Sequence, residues 1–314
     1  ALAVWLSHDE YVYVEDPKHI SVTTLLKSPR QIILAKRAKG GTGDISSIED
    51  ISNKIASKMG TAFHSSIELA WETNYKESLA SLGYPKKLIE SIRVNPTEVE
   101  EDTIPIYLEV RTEKEVSGYT LSGAFDICIN GQVQDYKSTG VFSYINKNND
   151  EKYIQQASIY RWLNQDKITD DIFTINFIFT NWNPIDAKKE GYPPQKCMEY
   201  KLKLMSLQET EAYIHSKLAL LSSLEGVPEV DLPHCNSNEL WENGDTLWKY
   251  YKDPNKTSRS TKNFTNPYDA NNRLVKDGAI GIVKEVKPKA KACNYCVAKS
   301  ICSQRTQLIE EGRI

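Results

Sequence analysis

The sequence predicts an α/β protein with a mixed central sheet flanked by helices. Residues 104–137 contain three successive strand patterns, two of which run on either side of Asn130-Gly131. An Asn-Gly pair between apolar runs is the strongest short-range signal for a two-residue β-hairpin. Helical patterns stand before and after this stretch, and two further strand patterns and a helix follow.

Two helical segments precede the strands. Residues 20–37 are predicted as a short helix interrupted near Pro29 and a second helix beyond it. A polar loop is predicted for residues 39–51. The segment from Gly60 to Trp71 is a stronger helix, with apolar side chains four residues apart on one face.

The Asn130-Gly131 turn sets two carboxylates opposite each other. Counting outward from the turn pairs Asp126 with Asp135 across the two strands. Directly opposed side chains have Cβ atoms about 4.5–5.5 Å apart, and like charges there destabilise a sheet. A divalent cation bound through oxygen ligands compensates that repulsion. Lys137 follows two residues after Asp135, so strand alternation returns it to the same face.

Two acids and one amine on one face suit metal-assisted phosphodiester hydrolysis. The carboxylates hold the ion, the ion polarises the phosphate and lowers the pKa of a bound water, and the lysine stabilises developing charge. The alternative, on these residues alone, is a surface hairpin with solvated charges, because Asp-x-Lys is a common pattern.

The elements after the hairpin complete the predicted core. A helix is predicted for residues 151–163, and strands are predicted for 172–180 and 198–205. Ser206 and Glu209 form a capping-box pattern that opens a helix running to about Leu224.

Four sequence motifs resemble those of the PD-(D/E)XK nuclease superfamily and follow one another in the same order along the chain. Gly123-Ala-Phe-Asp126 is similar to its Gly-x-x-Asp element, and Asp135-Tyr-Lys137 to its (D/E)-x-K element. The RecB-like exonuclease branch adds a Gly-x-x-x-His-x-x-x-Glu helix before the hairpin and a Gln-x-x-x-Tyr helix after it. The corresponding residues here are Gly60, His64, Glu68, Gln156 and Tyr160.

This resemblance implies a restriction-endonuclease-like core and a divalent-metal-dependent DNA nuclease. The expected activity is that of an exonuclease of recombination, repair or phage DNA processing, with Mg²⁺ or Mn²⁺ at the catalytic site. A non-catalytic DNA-binding module of the same fold and a structural zinc protein are the alternatives. The implied catalytic residues are Asp126, Asp135, Lys137, Gln156, Tyr160 and Glu68. The implied metal ligands are His64, Asp126, Asp135 and the backbone carbonyl of Tyr136.

The resemblance also gives roles to the two polar helices. His64 joins the acids around the metal, and Glu68 supports the site. Gln156 and Tyr160 touch DNA beside the active site. Taken alone, Gln156 and Tyr160 also fit an ordinary polar stripe with a half-buried tyrosine.

Six cysteines in a chain expected to be intracellular argue against disulfides. Cys128 and Cys197 fall in predicted strands and are expected to be buried. Thiolates spaced as in Cys293-x2-Cys296-x5-Cys302 can converge on one metal ion or cluster. Cys235 is expected to be the fourth ligand, with His234 as the alternative.

The Cys-x2-Cys-x5-Cys tail resembles that of iron–sulfur members of the RecB-like nucleases, including AddB-type and CRISPR-adaptation exonucleases. Those relatives take the fourth cysteine from near the amino terminus, where this chain has Ser28. A four-iron four-sulfur cluster and a structural Zn²⁺ are therefore both expected candidates. In either case, the predicted fold is a nuclease core at 1–225 with a metal- or cluster-stapled extension at 226–314 that folds back on it.

The extension also contains a polar basic loop at residues 252–262. Such a loop is usually only solvated, but its basic residues and nearby aromatics would also suit phosphate contacts and base stacking. The candidate DNA-contacting residues are Lys249, Lys252, Lys256, Arg259 and Lys262.

Composition limits the class of function. The chain has 314 residues and a net charge of −3, which argues against coating nucleic acid by bulk charge alone. It has no run of about 18 apolar residues, and its first apolar stretch is too short for a signal peptide. The expected protein is soluble and cytoplasmic, without membrane contact. Its expected partners are DNA and a recombination or single-strand-annealing protein.

Overall fold

The structure is a computed structural model that describes residues 2–8, 14, 16–40, 54–242 and 244–314. The loop predicted for 39–51 lies, from residue 41 onward, outside the described residues. No helix in the described part of the chain is long and apolar enough to cross a membrane.

The chain divides into two compact units. The first comprises Ala1–Leu26 and Ser46–Ser223, and the second comprises Lys27–Ile45 and Leu224–Ile314. By its contacts, the segment from residue 27 to 45 belongs to the second unit, whereas the predicted division assigns it to the nuclease core. The division into a nuclease core and an extension folding back on it stays a prediction.

A seven-stranded mixed sheet forms the centre of the first unit, as predicted. Its strands are β1 (His19–Ser21), β2 (Ile92–Val94), β3 (Ile104–Val116), β4 (Tyr119–Ile129), β5 (Gln132–Thr139), β6 (Ile172–Phe179) and β7 (Cys197–Lys203). The strand order is β2-β3-β4-β5-β6-β7, and β1 pairs with β4 outside this path. The pairs β1 with β4, β2 with β3 and β5 with β6 are parallel, and the other pairs are antiparallel.

Helices flank this sheet. In the first unit they are α1 (Leu2–Ser7), α2 (Val22–Leu25), α4 (Ile55–Thr73), α5 (Tyr75–Ser81), α6 (Lys86–Ser91), α7 (Phe142–Asn146), α8 (Asp150–Leu163) and α9 (Leu207–Ser223). Helix α4 packs on β5, and α8 packs on β3, β4 and α9. The predicted capping box opens α9, since the Glu209 N–H donates to Ser206 Oγ and the Ser206 N–H donates to Glu209 Oε2.

The Asn130-Gly131 turn forms as predicted. Asn130 and Gly131 have φ values of 48° and 88°, and a type I′ turn needs positive φ at both positions. The flanking pairs Ile127–Gln134, Cys128–Val133 and Ile129–Gln132 have the predicted register.

The ladder pair predicted for Asp126 and Asp135 does not form. Strand β5 pairs with β4 only at residues 127–129, while β1 pairs with residues 120–122 of β4. Strand β3 pairs with the other edge of β4, so β1 and β5 share the remaining edge. The pairing of β5 with β4 ends at Ile127 and does not include Asp126. The carboxylate of Asp126 accepts a hydrogen bond from the backbone N–H of Tyr136 at 3.1 Å instead.

The second unit contains a small antiparallel sheet that the sequence analysis did not predict. Its strands are β8 (Leu247–Tyr251), β9 (Lys262–Phe264) and β10 (Ile282–Val286), in the order β10-β8-β9. The unit's helices are α3 (Pro29–Gly40), α10 (Pro267–Lys276) and α11 (Ser303–Glu310). Helix α10 packs on β8, where Tyr250 is fully buried and donates from its hydroxyl to Asp277 at 3.1 Å.

The two cysteines expected to be buried in strands differ from each other. Cys128 is fully buried in the centre of the sheet, as expected. The expectation for Cys197 is wrong, because this residue is exposed. It is the first residue of β7, an edge strand whose residues alternate between exposed and half-buried.

Candidate active site and cysteine centre

His64 on α4 lies between two oxygen atoms of the hairpin. Its Nδ1 lies 3.3 Å from Asp126 Oδ2, and its Nε2 lies 2.9 Å from the carbonyl oxygen of Tyr136. The hydrogen bond to Asp126 raises the pKa of His64 above 6.5, although burial opposes the shift. The carboxylate of Asp126 thus favours the charged form of the imidazole, which can donate to both oxygens. Three of the predicted metal ligands come together here.

Glu109 on β3 is a residue of this site that the sequence analysis did not name. His64, Glu109 and Asp126 offer ligand atoms that all lie within 4.8 Å of one another. Glu109 has a φ of 46°, which is uncommon for a residue other than glycine inside a strand. The β3–β4 ladder has no pair at this position, although the residues on both sides are paired.

The turn between β3 and β4 contains the signal that would have found Glu109. Ser117 and Gly118 have positive φ values of 49° and 73°, and the pairing starts from Val116 and Tyr119. Counting outward from this turn brings Glu109 opposite Asp126. The register counted from the Asn130-Gly131 turn alone does not reach Glu109, because β5 and not β3 is the partner strand there.

The carboxyl groups of the site disfavour one another's charge. Burial, followed by the charges of Asp126 and Glu68, raises the pKa of Glu109 to about 7. Burial also raises the pKa of Asp135, which is only 5% exposed. The pKa of Glu68 is raised by partial burial and then by the charges of Glu72 and Asp126. A cation bound among these groups would relieve their repulsion, so the donor set fits a hard divalent ion.

Asp135 and Lys137 form an ion pair on β5, with Oδ2 and Nζ 2.5 Å apart. Burial alone would lower the pKa of Lys137, but the facing carboxylate of Asp135 raises it. The ammonium group is therefore charged at neutral pH. Lys137 is a fixed cation beside the acids rather than a candidate proton acceptor.

Tyr160 and Gln156 lie on α8, the helix that packs on β3 and β4. A Cβ atom at Gly123 would lie 2.7 Å from Val22 and 3.0 Å from Tyr160, which explains the glycine in Gly123-Ala-Phe-Asp126. Tyr160 is 7% exposed, and its hydroxyl accepts a hydrogen bond from Gln156 Nε2 at 2.8 Å. Burial and then nearby groups, including Asp135 and Asp126, raise the pKa of Tyr160. The tyrosine ring is buried, whereas Gln156 is half-buried.

The second unit brings the four predicted cysteine ligands to one cavity. Cys235, Cys293, Cys296 and Cys302 all line this cavity, and all four are half-buried free thiols. His234, the alternative ligand, is exposed and does not line it. The centre therefore combines a cysteine before the small sheet with three cysteines after it.

The spacing of the sulfur atoms bears on what this centre can hold. A zinc ion with Zn–S distances of about 2.3 Å sets its four sulfurs about 3.8 Å apart. Among the described residues, the cysteine sulfurs do not form a group of three that all lie within 4.8 Å. Arg305 also lines the cavity, and its buried Nε has no hydrogen-bond partner in the described part of the chain. Four thiols around one cavity are a donor set that suits either a zinc ion or an iron–sulfur cluster.

The basic residues predicted to contact DNA lie on β8, on β9 and in the loop between them. Four are exposed and Lys249 is half-buried. Lys256 lies 3.7 Å from the carboxylate of Asp253. Lys284 on β10 is directly opposite Lys249, a neighbour that the sequence analysis could not identify without the sheet.

No protein-family model matches the chain, and no curated protein matches it. Among solved structures, SSO0001 is similar with 18% identity over 73% of this chain and 86% of that chain, at a TM-score of 0.40. A candidate exonuclease from Eubacterium rectale has 10% identity, coverages of 69% and 87%, and a TM-score of 0.35. A phage-related exonuclease from Haemophilus somnus 129PT has 13% identity, coverages of 66% and 96%, and a TM-score of 0.28. At these TM-scores, the likenesses carry no argument about activity.

Proposed function

We propose that the first unit is a divalent-metal-dependent DNA nuclease, and that it acts as an exonuclease. The observation that carries the proposal is the convergence of His64, Glu109 and Asp126 within 4.8 Å, next to the ion pair of Asp135 and Lys137. Imidazole, carboxylates and a backbone carbonyl form a mixed nitrogen and oxygen ligand set that suits Mn²⁺ or Mg²⁺. The PD-(D/E)XK resemblance of the motifs supports DNA as the substrate.

Each side chain then has a role in the reaction. His64, Asp126, Asp135 and the Tyr136 carbonyl would hold the ion, and Glu109 would add a further carboxylate beside His64 and Asp126. When bound, the ion polarises the phosphodiester and lowers the pKa of water. Lys137 keeps its proton because Asp135 faces it, and its charge stabilises negative charge that develops on the phosphate.

The resemblance gives Gln156 and Tyr160 a common role in contacting DNA, and we assign each residue a different part of it. Because the Tyr160 ring is buried, its hydroxyl serves to orient the half-buried Gln156 amide through their 2.8 Å hydrogen bond. Gln156 is then the residue of the two that reaches the DNA strand. Glu68 tunes the charge of the acids without holding the ion directly.

The cysteine centre is proposed to hold a four-iron four-sulfur cluster, with structural Zn²⁺ as the alternative. The four thiols around one cavity support a metal centre, and the resemblance of the Cys-x2-Cys-x5-Cys tail to that of iron–sulfur nucleases supports the cluster. Its role is structural, since metal binding at such a site contributes directly to the folding free energy. The proposed setting is recombination, repair or phage DNA processing, together with an annealing or recombination protein.

A cleavage assay on linear and circular DNA tests the proposed activity. We expect Mg²⁺ or Mn²⁺ to support degradation of end-labelled linear DNA, EDTA to abolish it, and closed circles to resist. Asp126→Asn and Asp135→Asn should abolish cleavage and leave DNA binding intact, because each removes a ligand and relieves repulsion. Asp171→Asn, in an exposed ion pair with Lys203, is the matched control and should retain full activity. Metal-independent cleavage, or normal cleavage by either site variant, would contradict the proposal.

A further inference from the structure

Arg30 is a buried cation that reaches the cysteine centre from α3. Its side chain is 1% exposed, and its Nε donates to the sulfur of Cys302 at 3.4 Å. Nη1 donates to the carbonyl oxygen of Leu232 at 2.9 Å, and Nη2 donates to Ser303 Oγ at 3.0 Å. Nη2 also forms an ion pair with Glu229. The guanidinium is thus held on every side, and one donor points at a sulfur atom.

The pairing with Glu229 explains how a guanidinium can be buried here. Leaving a buried charge unpaired is strongly destabilising, so Arg30 needs a carboxylate nearby. Glu229 is fixed in turn, since its Oε1 accepts from the Ser303 N–H at 2.9 Å and from Ser303 Oγ at 3.0 Å. Because Glu229 pairs with Arg30 through Nη2, the Nε–H of Arg30 is left to donate to Cys302.

A second contact from the start of α3 reaches another cysteine. Ser28 Oγ lies 3.1 Å from Cys235 Sγ, and the Gln31 N–H donates to Ser28 Oγ at 3.1 Å. Gln304 fixes the backbone of Cys235 from the other side, through bonds of 2.8 Å and 2.9 Å. The segment from Ser28 to Arg30 therefore orients two of the four sulfurs.

We infer that Arg30 positions Cys302 as a ligand and raises the reduction potential of the iron–sulfur cluster. Hydrogen bonds to the sulfurs and the net local charge are among the factors that set the potential of such clusters. A cationic N–H donor stabilises the reduced state more than the oxidised state, because the reduced state is more negative. Since Arg30 is buried, solvent and salt screen this effect little. The inference rests on the proposed cofactor and assigns it a tuned potential beyond its structural role.

The test compares variants of Arg30 in the full chain, purified without oxygen. Iron and acid-labile sulfide per chain report whether the centre is filled, and a redox titration followed near 400 nm reports its potential. We expect Arg30→Gln to shift the midpoint to a more negative value. Arg30→Lys should shift it less in the same direction, because the charge is kept but the planar donor is lost. Arg37→Gln is the matched control, since Arg37 is on the same helix and donates to the Val227 carbonyl at 2.5 Å.

Arg30→Gln leaves the half-buried Glu229 without its cation, so the double variant Arg30→Gln/Glu229→Gln keeps the test decisive if the single variant does not fold. It removes both charges and still lacks the donor to Cys302. Filled variants whose midpoints equal the wild-type value would overturn the inference while leaving the cofactor intact. A folded variant that loses iron, while Arg37→Gln retains it, supports the positioning role. Wild-type protein without iron or sulfide contradicts the proposed cofactor itself, and the inference with it.

Discussion

The hydroxyl oxygen of Ser28 lies 3.1 Å from the sulfur of Cys235, although 207 positions separate the two residues in the chain. In the iron–sulfur nucleases that the tail resembles, the fourth cysteine comes from near the amino terminus, where this chain has Ser28. The contact means that a sulfur atom at position 28 would stand close to the present position of Cys235 Sγ.

The first prediction follows from this contact. Cys235→Ser should lose most of the bound iron or zinc, because one of four ligands is gone. Adding Ser28→Cys in the same chain should restore it. Metal and sulfide content per chain measure both changes, and Cys197→Ser, at an exposed edge, should leave them unchanged. A double variant as empty as the single one would contradict the prediction.

Glu109→Gln should change how the stability of the metal-free protein depends on pH. The folded protein raises the pKa of Glu109 from 4.5 to about 7, so this group lowers stability progressively as pH rises through that window. The variant should therefore melt higher than the wild type at pH 8, and equally near pH 4.5. Although partial desolvation raises this pKa, Glu109 keeps enough contact with solvent for screening to reduce the gain to about 1 kcal/mol.

Thermal melting in EDTA at several pH values measures this effect of Glu109→Gln. Glu211→Gln, at an exposed position on α9, serves as the control. An equal shift of the melting temperature at both ends of the pH range would show that the charge of Glu109 is not the cause.

His64→Ala should weaken Mn²⁺ binding more than Mg²⁺ binding, since it removes the only imidazole of the ligand set among the described residues. In the wild type, the hydrogen bond to Asp126 raises the pKa of His64 above 6.5, so protons should displace the metal as pH falls through that raised value. The variant should lose this part of the pH dependence. Calorimetric titration measures both effects, and His215→Ala, at a histidine hydrogen-bonded to Ser117, should reproduce the wild type.

Lys137→Ala should lower the cleavage rate by about 10²–10³ and leave the metal bound, because it removes a charge that acts on the phosphate. The lost ammonium also leaves Asp135 without its ion pair, which should raise the pKa of that carboxyl further. Rates and metal affinity are therefore best compared at pH 8. Lys167→Ala, which breaks an exposed pair with Asp166, is the control. Loss of metal binding at pH 8 would give Lys137 a different role.

The hairpin could be predicted because its turn fixes its register. Asn130-Gly131 selects one turn type, and the three pairs from Ile129 out to Ile127 then follow. The separation of Asp126 from Asp135 could not be predicted in the same way. The strand His19–Ser21, from far away in the chain, pairs with residues 120–122 of the same β4 edge, and β5 pairs with that edge only at residues 127–129. No local pattern encodes such a parallel pairing.

The small sheet was missed for a different reason. Its strands have three to five residues, too few to show a period of two. Contacts with α10 and the burial of Tyr250 hold it together. The cysteine spacing, in contrast, was visible in the sequence, and Cys235 shares a cavity with the three tail cysteines. That these four residues bind a cluster stays a prediction.

The last prediction concerns Lys249 and Lys284, which are directly opposite each other on β8 and β10. Like charges at such positions destabilise a sheet, and no ion pair of either lysine is found among the described residues. A DNA phosphate bound between them would relieve the repulsion. Lys249→Gln/Lys284→Gln should therefore weaken DNA binding and reduce the slope of log affinity against log salt by about 2. The same variant should melt slightly higher without DNA. Lys276→Gln, on the helix that packs on the small sheet, removes one charge and is the matched control for Lys249→Gln alone; an equal loss of affinity in these two single variants would reduce the effect to net charge alone.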